Sequence, residues 1–151
     1  MVYKSKNEND TYKIANRFAK QLNGGDIILL NGDLGAGKTT FVKGLGKALN
    51  IKENITSPTF TLLKTYQTEK FNLVHIDAYR LKGDSFDDIY DYLNEENVLL
   101  IEWSECLSNQ EIFNEYLKIN INYVSKNQRL FIIDAFGKRY EKMLQEASKD
   151  E

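Results

Sequence analysis

The stretch Gly32-Asp33-Leu34-Gly35-Ala36-Gly37-Lys38-Thr39 decides the reading of this chain. It fits G-x-x-x-x-G-K-[ST], a phosphate-binding P-loop, and its flanks have the order such a loop requires. The apolar run Ile27-Ile28-Leu29-Leu30 leads in as a strand, and Phe41, Val42, Leu45 and Leu49 recur behind it at helical spacing. Gly32, Gly35 and Gly37 open backbone conformations closed to residues with a Cβ. Successive N–H groups can then turn inward on an anion at the positive end of the following helix. Lys38 is placed to reach the β- and γ-phosphates of a nucleotide, and the Thr39 hydroxyl to hold a Mg²⁺ bridging them. The plainer alternative is a glycine-rich β-to-α turn that binds nothing.

Outward from the loop, 151 residues suit one domain, 1–151, with room for a real core. With 42% hydrophobic residues, 28% charged and a net charge of −2, the composition is that of a soluble globular protein. The pI near 5.6 argues against autonomous binding to DNA or RNA, which usually needs a basic face. The four arginines, Arg17, Arg80, Arg129 and Arg139, point the same way. Cys106 is the single cysteine and His75 the single histidine, which excludes an internal disulfide and a Cys/His zinc site. The polar start of the chain and its strand-sized apolar runs indicate neither export nor a membrane span, so a cytoplasmic location is expected.

In chain order, Asp10 or Thr11 is expected to cap a first helix with Ile14, Ala15, Phe18, Ala19 and Leu22 on its apolar face, ending at Gly24-Gly25. The P-loop helix should end near Asn50. Pro58 forbids helix in the next segment, and Thr59 to Tyr66 with Phe71 to Ile76 suggest a hairpin. Asp84-Ser85 is expected to cap a short helix bearing Ile89, Tyr92 and Leu93. Val98 to Ile101 reads as a buried parallel strand delivering Glu102 and Trp103 to its end. Leu117 to Tyr123 and Arg129 to Phe136 make two strands around a turn, and Lys138 to Ala147 a closing helix. The expected fold is α/β: a P-loop NTPase fold with a mostly parallel central sheet, helices on both faces and a β-hairpin after the P-loop helix.

A Mg²⁺-nucleotide site needs a carboxylate at a strand end near the loop, and Asp77, Glu102 and Asp134 are the candidates. Asp134-Ala135-Phe136-Gly137 fits the D-x-x-G of GTPases, yet the chain contains no guanine-reading N-K-x-D, so ATP is favoured. His75 and Asp77 lie two apart and share a strand face, most simply as a half-buried histidine with a hydrogen-bond partner. Arg80 is read as structural rather than as an arginine finger in cis. The acidic group Asp84, Asp87, Asp88, Asp91, Glu95 and Glu96 reads as a solvated helix face, with a docking surface as the sharper alternative.

Four segments together carry a signature: Asp33 to Phe41, Ser57-Pro58-Thr59-Phe60-Thr61-Leu62, His75-Ile76-Asp77-Ala78-Tyr79-Arg80-Leu81, and Ile101-Glu102-Trp103-Ser104-Glu105. In this order and spacing the chain resembles the TsaE (YjeE) family of small P-loop ATPases in tRNA threonylcarbamoyladenosine synthesis. The resemblance implies an enzyme that binds and hydrolyses Mg²⁺-ATP, slowly alone and faster when docked on the TsaB and TsaD proteins. Those partners modify adenosine 37 of tRNA, so tRNA would be met indirectly.

The residues implied at the nucleotide are Thr11, Gly35, Ala36, Gly37, Lys38, Thr39 and Thr40, with Thr11 near the base. Lys38, Asp77 and Glu102 would be catalytic, Thr39 and Glu102 would lie at the metal, and the Ser57 to Thr61 loop would sense the γ-phosphate. Arg129 matches a recurrent arginine to which the sequence assigns no role. Where the family often has Glu-Trp-Pro, this chain has Glu102-Trp103-Ser104. Two other classes compete: a small-molecule kinase, and a nucleotide-gated binding module without significant turnover.

Overall fold

The computed structural model describes residues 1–81, 85–108 and 112–149. Its first element is one the sequence did not announce. Val2–Ser5 forms strand β1, with Tyr3 and Ser5 turned inward. It pairs antiparallel with Arg129–Phe136, the last strand, in the register Tyr3↔Phe131. Four residues with a lysine among them carry no strand signal of their own, and this strand exists because a distant one offers its edge.

Helix α1, Glu8–Ala19, starts earlier than expected and is capped by Asn7, whose side chain accepts from the Asp10 N–H. The Asp10 carboxylate in turn accepts from the Lys6 N–H at 2.9 Å, one residue before the cap, so Asp10 reaches back from inside the helix instead of being the cap. Thr11 lies inside the helix and is buried. The helix ends at Ala19, short of the glycines.

Strand β2 is Ile27–Asn31 and helix α2 is Lys38–Ala48, with the P-loop between them. The hairpin forms as β3, Leu63–Gln67, antiparallel to β4, Asn72–Asp77. Its first strand begins later than the expected Thr59, because the Thr61 and Leu62 N–H groups both bond back to the Pro58 carbonyl in a turn. The expected helix after Asp84 is a 3₁₀ segment, Asp87–Tyr92, and Asp84 itself lies outside the described residues. Phe86, Ile89 and Tyr92, three apart, form the ridge that a 3₁₀ geometry aligns, and all three pack on one apolar cluster.

The remaining described elements are β5, Asn97–Glu102, a second 3₁₀ turn, Ser104–Cys106, β6, Tyr116–Tyr123, β7, Arg129–Phe136, and α3, Lys138–Ser148. The seven strands form one sheet in the order β1-β7-β6-β2-β5-β4-β3. Its centre, from β6 through β2 and β5 to β4, is parallel, and antiparallel pairs flank it on both sides. Alternation along β2 sends Ile28 and Leu30 to one face and Leu29 to the other.

The first face joins Phe18 of α1, Phe41 of α2 and Met143 of α3 in one cluster. The second packs against Ile89 and neighbours of the 3₁₀ segments. Helical cover on the two faces therefore differs in kind: among the described residues the α-helices share one face, and 3₁₀ turns serve the other. No helix of the described residues is long and apolar enough to cross a membrane.

Candidate functional site

Ligands of open α/β sheets bind beyond the carboxyl ends of the parallel strands, where neighbouring connections diverge. Here β2 ends at Asn31 and runs into the P-loop. Glu102, at the end of β5, stands opposite Leu30 of β2 on one side and Asp77 of β4 on the other. Strand pairing thus brings the two carboxylates side by side, next to the loop. Both are buried, with 3% exposure each. His75, Asp77 and Glu102 share the parity of Leu73 and Leu100, which belong to the helix-covered face.

The loop has the backbone its glycines allow. Gly35 has φ 79° and Gly37 φ 106°, in the left-handed region. Gly37 precedes Lys38 as the N-cap of α2 without a side-chain cap, which leaves the first-turn N–H groups to a ligand. The Lys38 ammonium donates to the Gly32 carbonyl and lies 4.2 Å from the centroid of the Trp103 ring. Burial pushes the Lys38 amine below its ordinary value, against the opposing pull of Glu102, Asp77, Glu105 and Asp33.

Each carboxylate is held by a side chain from another segment. Glu102 Oε2 lies 2.5 Å from His75 Nε2. His75 is fully buried, deeper than the half-buried position expected, and its other ring nitrogen has no partner among the described residues. Asp77 Oδ2 accepts from the Thr59 hydroxyl at 2.8 Å, and Oδ1 from the Tyr79 N–H at 3.0 Å. Ser57 and Thr59 share a 2.6 Å hydrogen bond, so the 57–59 loop is tied to Asp77. Trp103, a bulky residue at φ 57°, lies with its ring over the Lys38 ammonium.

A cavity of about 380 Å³ opens over these groups. Gly35, Gly37, Lys38, Thr39 and Thr40 line it, facing Ser57, Thr59, Asp77, Glu102 and Trp103. Ala36 does not line it; its side chain, at 2% exposure, belongs to the helix-covered core. A second cavity of about 410 Å³ shares Gly37, Thr40 and Arg129 and continues to Ser5, Asn7, Thr11 and Asn127. Thr11 also meets Ser5 through a 2.7 Å hydroxyl pair.

Of the expected residues, the structure brings Lys38, Thr39, Asp77 and Glu102 to one cavity and places Thr11 in the adjoining one. Asp134 does not join them: β7 runs on to Phe136, and Asp134 is exposed within it. Arg80 does not line either cavity; it donates to the Phe60 carbonyl at 3.3 Å, in keeping with a structural role. The acidic residues Asp87, Asp88, Asp91, Glu95 and Glu96 are exposed. The sequence carries no signal for Ser5 and Asn7 at this wall, because β1 forms only against a distant strand. The His75–Glu102 contact needed the strand order, which the sequence does not carry.

These groups fit a nucleoside polyphosphate with its metal. The donor set is a helix N-terminus, a cation and open backbone N–H groups, which is chemistry for an anion. Among the described residues no group of three or more His, Cys, Asp or Glu could hold a metal ion. Mg²⁺ suits such a site, since it takes one or two carboxylates and completes its shell from phosphate and water.

The family profile described as "Threonylcarbamoyl adenosine biosynthesis protein TsaE" matches residues 5–131. The tRNA threonylcarbamoyladenosine biosynthesis protein TsaE of Bacillus subtilis is 36% identical over 150 residues, 99% of this chain and 94% of that protein. Its counterpart from Aquifex aeolicus is 49% identical over 100 residues, 65% of this chain and 72% of that protein. The crystal structure of Bacillus subtilis YdiB matches with a TM-score of 0.85 at 33% identity, covering 99% of this chain and 95% of that one. Profile, relatives and solved structure agree, and the chain belongs to the TsaE family.

Proposed function

We propose that this protein binds and hydrolyses Mg²⁺-ATP in support of threonylcarbamoyl modification of adenosine 37 in tRNA. It acts as one P-loop ATPase domain, 1–151, in complex with TsaD and TsaB in the cytoplasm. The observation that carries the reading is the meeting of Lys38 with Asp77 and Glu102 in one cavity at the start of α2. In this reading Lys38 leaves the Gly32 carbonyl to neutralise charge developing on the β- and γ-phosphates. Gly35 to Thr40 cradle the phosphates, and Thr39 and Glu102 hold the metal. Asp77, fixed by Thr59 and the Tyr79 N–H, orients the attacking water, and the base lies toward Thr11. Mg²⁺, when bound, supplies charge shielding between the phosphates.

Turnover by the protein alone should be slow. Asp77 is already held by Thr59 and the Tyr79 N–H, and Glu102 by His75, which leaves Asp77 to orient the water rather than to act as a complete general base. The same observation supports the nucleotide-gated reading, in which ATP against ADP sets partner affinity without significant turnover. The kinase reading gains no support from the arginines. Arg17 lies over the Tyr3 ring, Arg139 pairs with Asp26, Arg80 with a carbonyl and Arg129 with several carbonyls, none held out toward a second substrate.

Phosphate release from Mg²⁺-ATP, measured with and without TsaB and TsaD and with Lys38→Ala as control, tests the proposal. A partner-dependent rise abolished by the substitution is expected. ATP bound but never cleaved, even in a single turnover with partners present, would favour the gated module.

A further inference from the structure

Arg129 opens β7 and reaches across to the P-loop, from a strand far from it in sequence. Its Nε donates to the Ala36 carbonyl at 2.8 Å and its Nη2 to the Gly35 carbonyl at 3.2 Å. Nη1 faces the turn between β6 and β7, where it meets the carbonyls of Ser125 at 2.7 Å, Gln128 at 2.9 Å and Lys126 at 3.3 Å. The guanidinium carbon lies 4.7 Å from the centroid of the Tyr123 ring. Among the described residues every hydrogen-bond acceptor of Arg129 is a main-chain carbonyl. Such a fork in a fixed plane is a device for holding backbone, and it keeps its full charge.

The consequence lies on the other side of the peptide plane. A trans peptide points its C=O and N–H in opposite directions. The carbonyl of Ala36 belongs to the same unit as the N–H of Gly37, so holding that oxygen toward Arg129 turns the Gly37 N–H away from it. The carbonyl of Gly35 shares a unit with the N–H of Ala36, which is itself bonded to the Asp33 carbonyl at 2.9 Å, so that unit is fixed at both ends. Gly37 at φ 106° has little intrinsic preference for this conformation, and an outside clamp is what selects it. Arg129 also lines both cavities, and Lys126 and Asn127 of the turn it grips line the one toward Thr11.

We infer that Arg129 is a positioning residue: it locks the Gly35–Ala36–Gly37 backbone with the Gly37 N–H set for phosphate, and couples that cradle to the 125–128 turn at the other end of the nucleotide. The inference rests on the proposed nucleotide site and adds a residue to which that site's motif gives no role. Charge alone does not explain the arrangement, since a lysine would carry the charge and lack the fork.

Calorimetric titration of the full chain with Mg²⁺-ADP and with Mg²⁺-pyrophosphate, for the native protein, Arg129→Lys and Arg129→Gln, tests it. Thermal midpoints are taken without ligand. Both substitutions are expected to weaken both ligands by about tenfold or more, the loss of one or two charge-assisted hydrogen bonds' worth of alignment. Their unliganded midpoints should stay close to the native one. Arg129→Lys binding like the native protein would reduce the residue to a charge and overturn the positioning role. So would weakened ADP with unchanged pyrophosphate, which would move its action to the base end, or a lowered midpoint with unchanged affinities, which would make it structural only. If Arg129→Gln does not fold, Arg129→Lys answers the same question. Failure of the native protein to bind ADP at all would instead overturn the nucleotide site itself.

Discussion

Glu102 depends on His75 for its place. Replacing the ring by an apolar side chain would leave a carboxylate with 3% exposure lacking its donor. His75→Leu should cost about 3 kcal/mol in urea unfolding, and His75→Gln, whose amide can donate from a similar position, should recover most of it. Lys38 presents the reverse case. Its amine is pushed down by burial, so between the folded and the unfolded pKa the unfolded chain binds more protons, and stability rises with pH there. Below the folded value the buried charge is a standing cost. Lys38→Met should therefore raise the thermal midpoint of the nucleotide-free protein at neutral pH, and the gain should shrink as pH climbs toward 10.5, the ordinary lysine value. A midpoint that falls at neutral pH would show that the Gly32 and Trp103 contacts outweigh desolvation. The motif residues were legible because P-loop chemistry is local: glycine, lysine and threonine act within one turn of chain. His75, which holds Glu102, and Arg129, which holds the loop, come from other strands; the sequence singles out both residues but not what each one grips.

Among the elements, α1 and α2 approach unusually closely. A methyl group at Gly44 would lie 2.8 Å from Ala15 Cβ and 3.2 Å from Tyr12 Cα, the second a backbone atom that cannot move aside. Gly44→Ala should thus lower the urea midpoint with the slope unchanged, a net loss of about 1–3 kcal/mol. Alanine's better helix propensity, worth about 1 kcal/mol, works against that loss, so a stabilised variant would mean the helices separate easily. Elements with strong periodicity, such as α2 and the apolar β5, were legible to within a few residues. β1 was not, since Val2-Tyr3-Lys4-Ser5 becomes a strand only against β7. The short helix expected to bear Ile89, Tyr92 and Leu93 takes 3₁₀ geometry over Asp87–Tyr92, a distinction that so short an apolar span does not encode.

Across the whole molecule, the first and last strands close one side of the sheet and bring Ser5 to the wall shared with Thr11. Deleting residues 1–5 removes the buried Tyr3 from the core along with that wall, and should cost about 3 kcal/mol or more. It should also weaken nucleotide binding, which calorimetry of the truncated chain would read. Saturation with Mg²⁺-ADP at a hundred times its dissociation constant should stabilise the native protein by about 2.7 kcal/mol, an effect that Lys38→Ala should lose. Fold class was legible from one loop and its flanks. Strand order was not, because parallel pairing joins segments whose adjacency no local pattern records.

The outermost strands, β1 and β3, have one further consequence. Among the described residues each has one side without a neighbouring strand, where peptide groups offer a template to other chains. Each is short, four and five residues, and each carries a lysine, Lys4 and Lys64, that opposes the approach of a second edge. The margins of the sheet are thereby blunted against intermolecular β-growth, which protects a molecule with so apolar an interior from aggregating edge to edge when it is crowded.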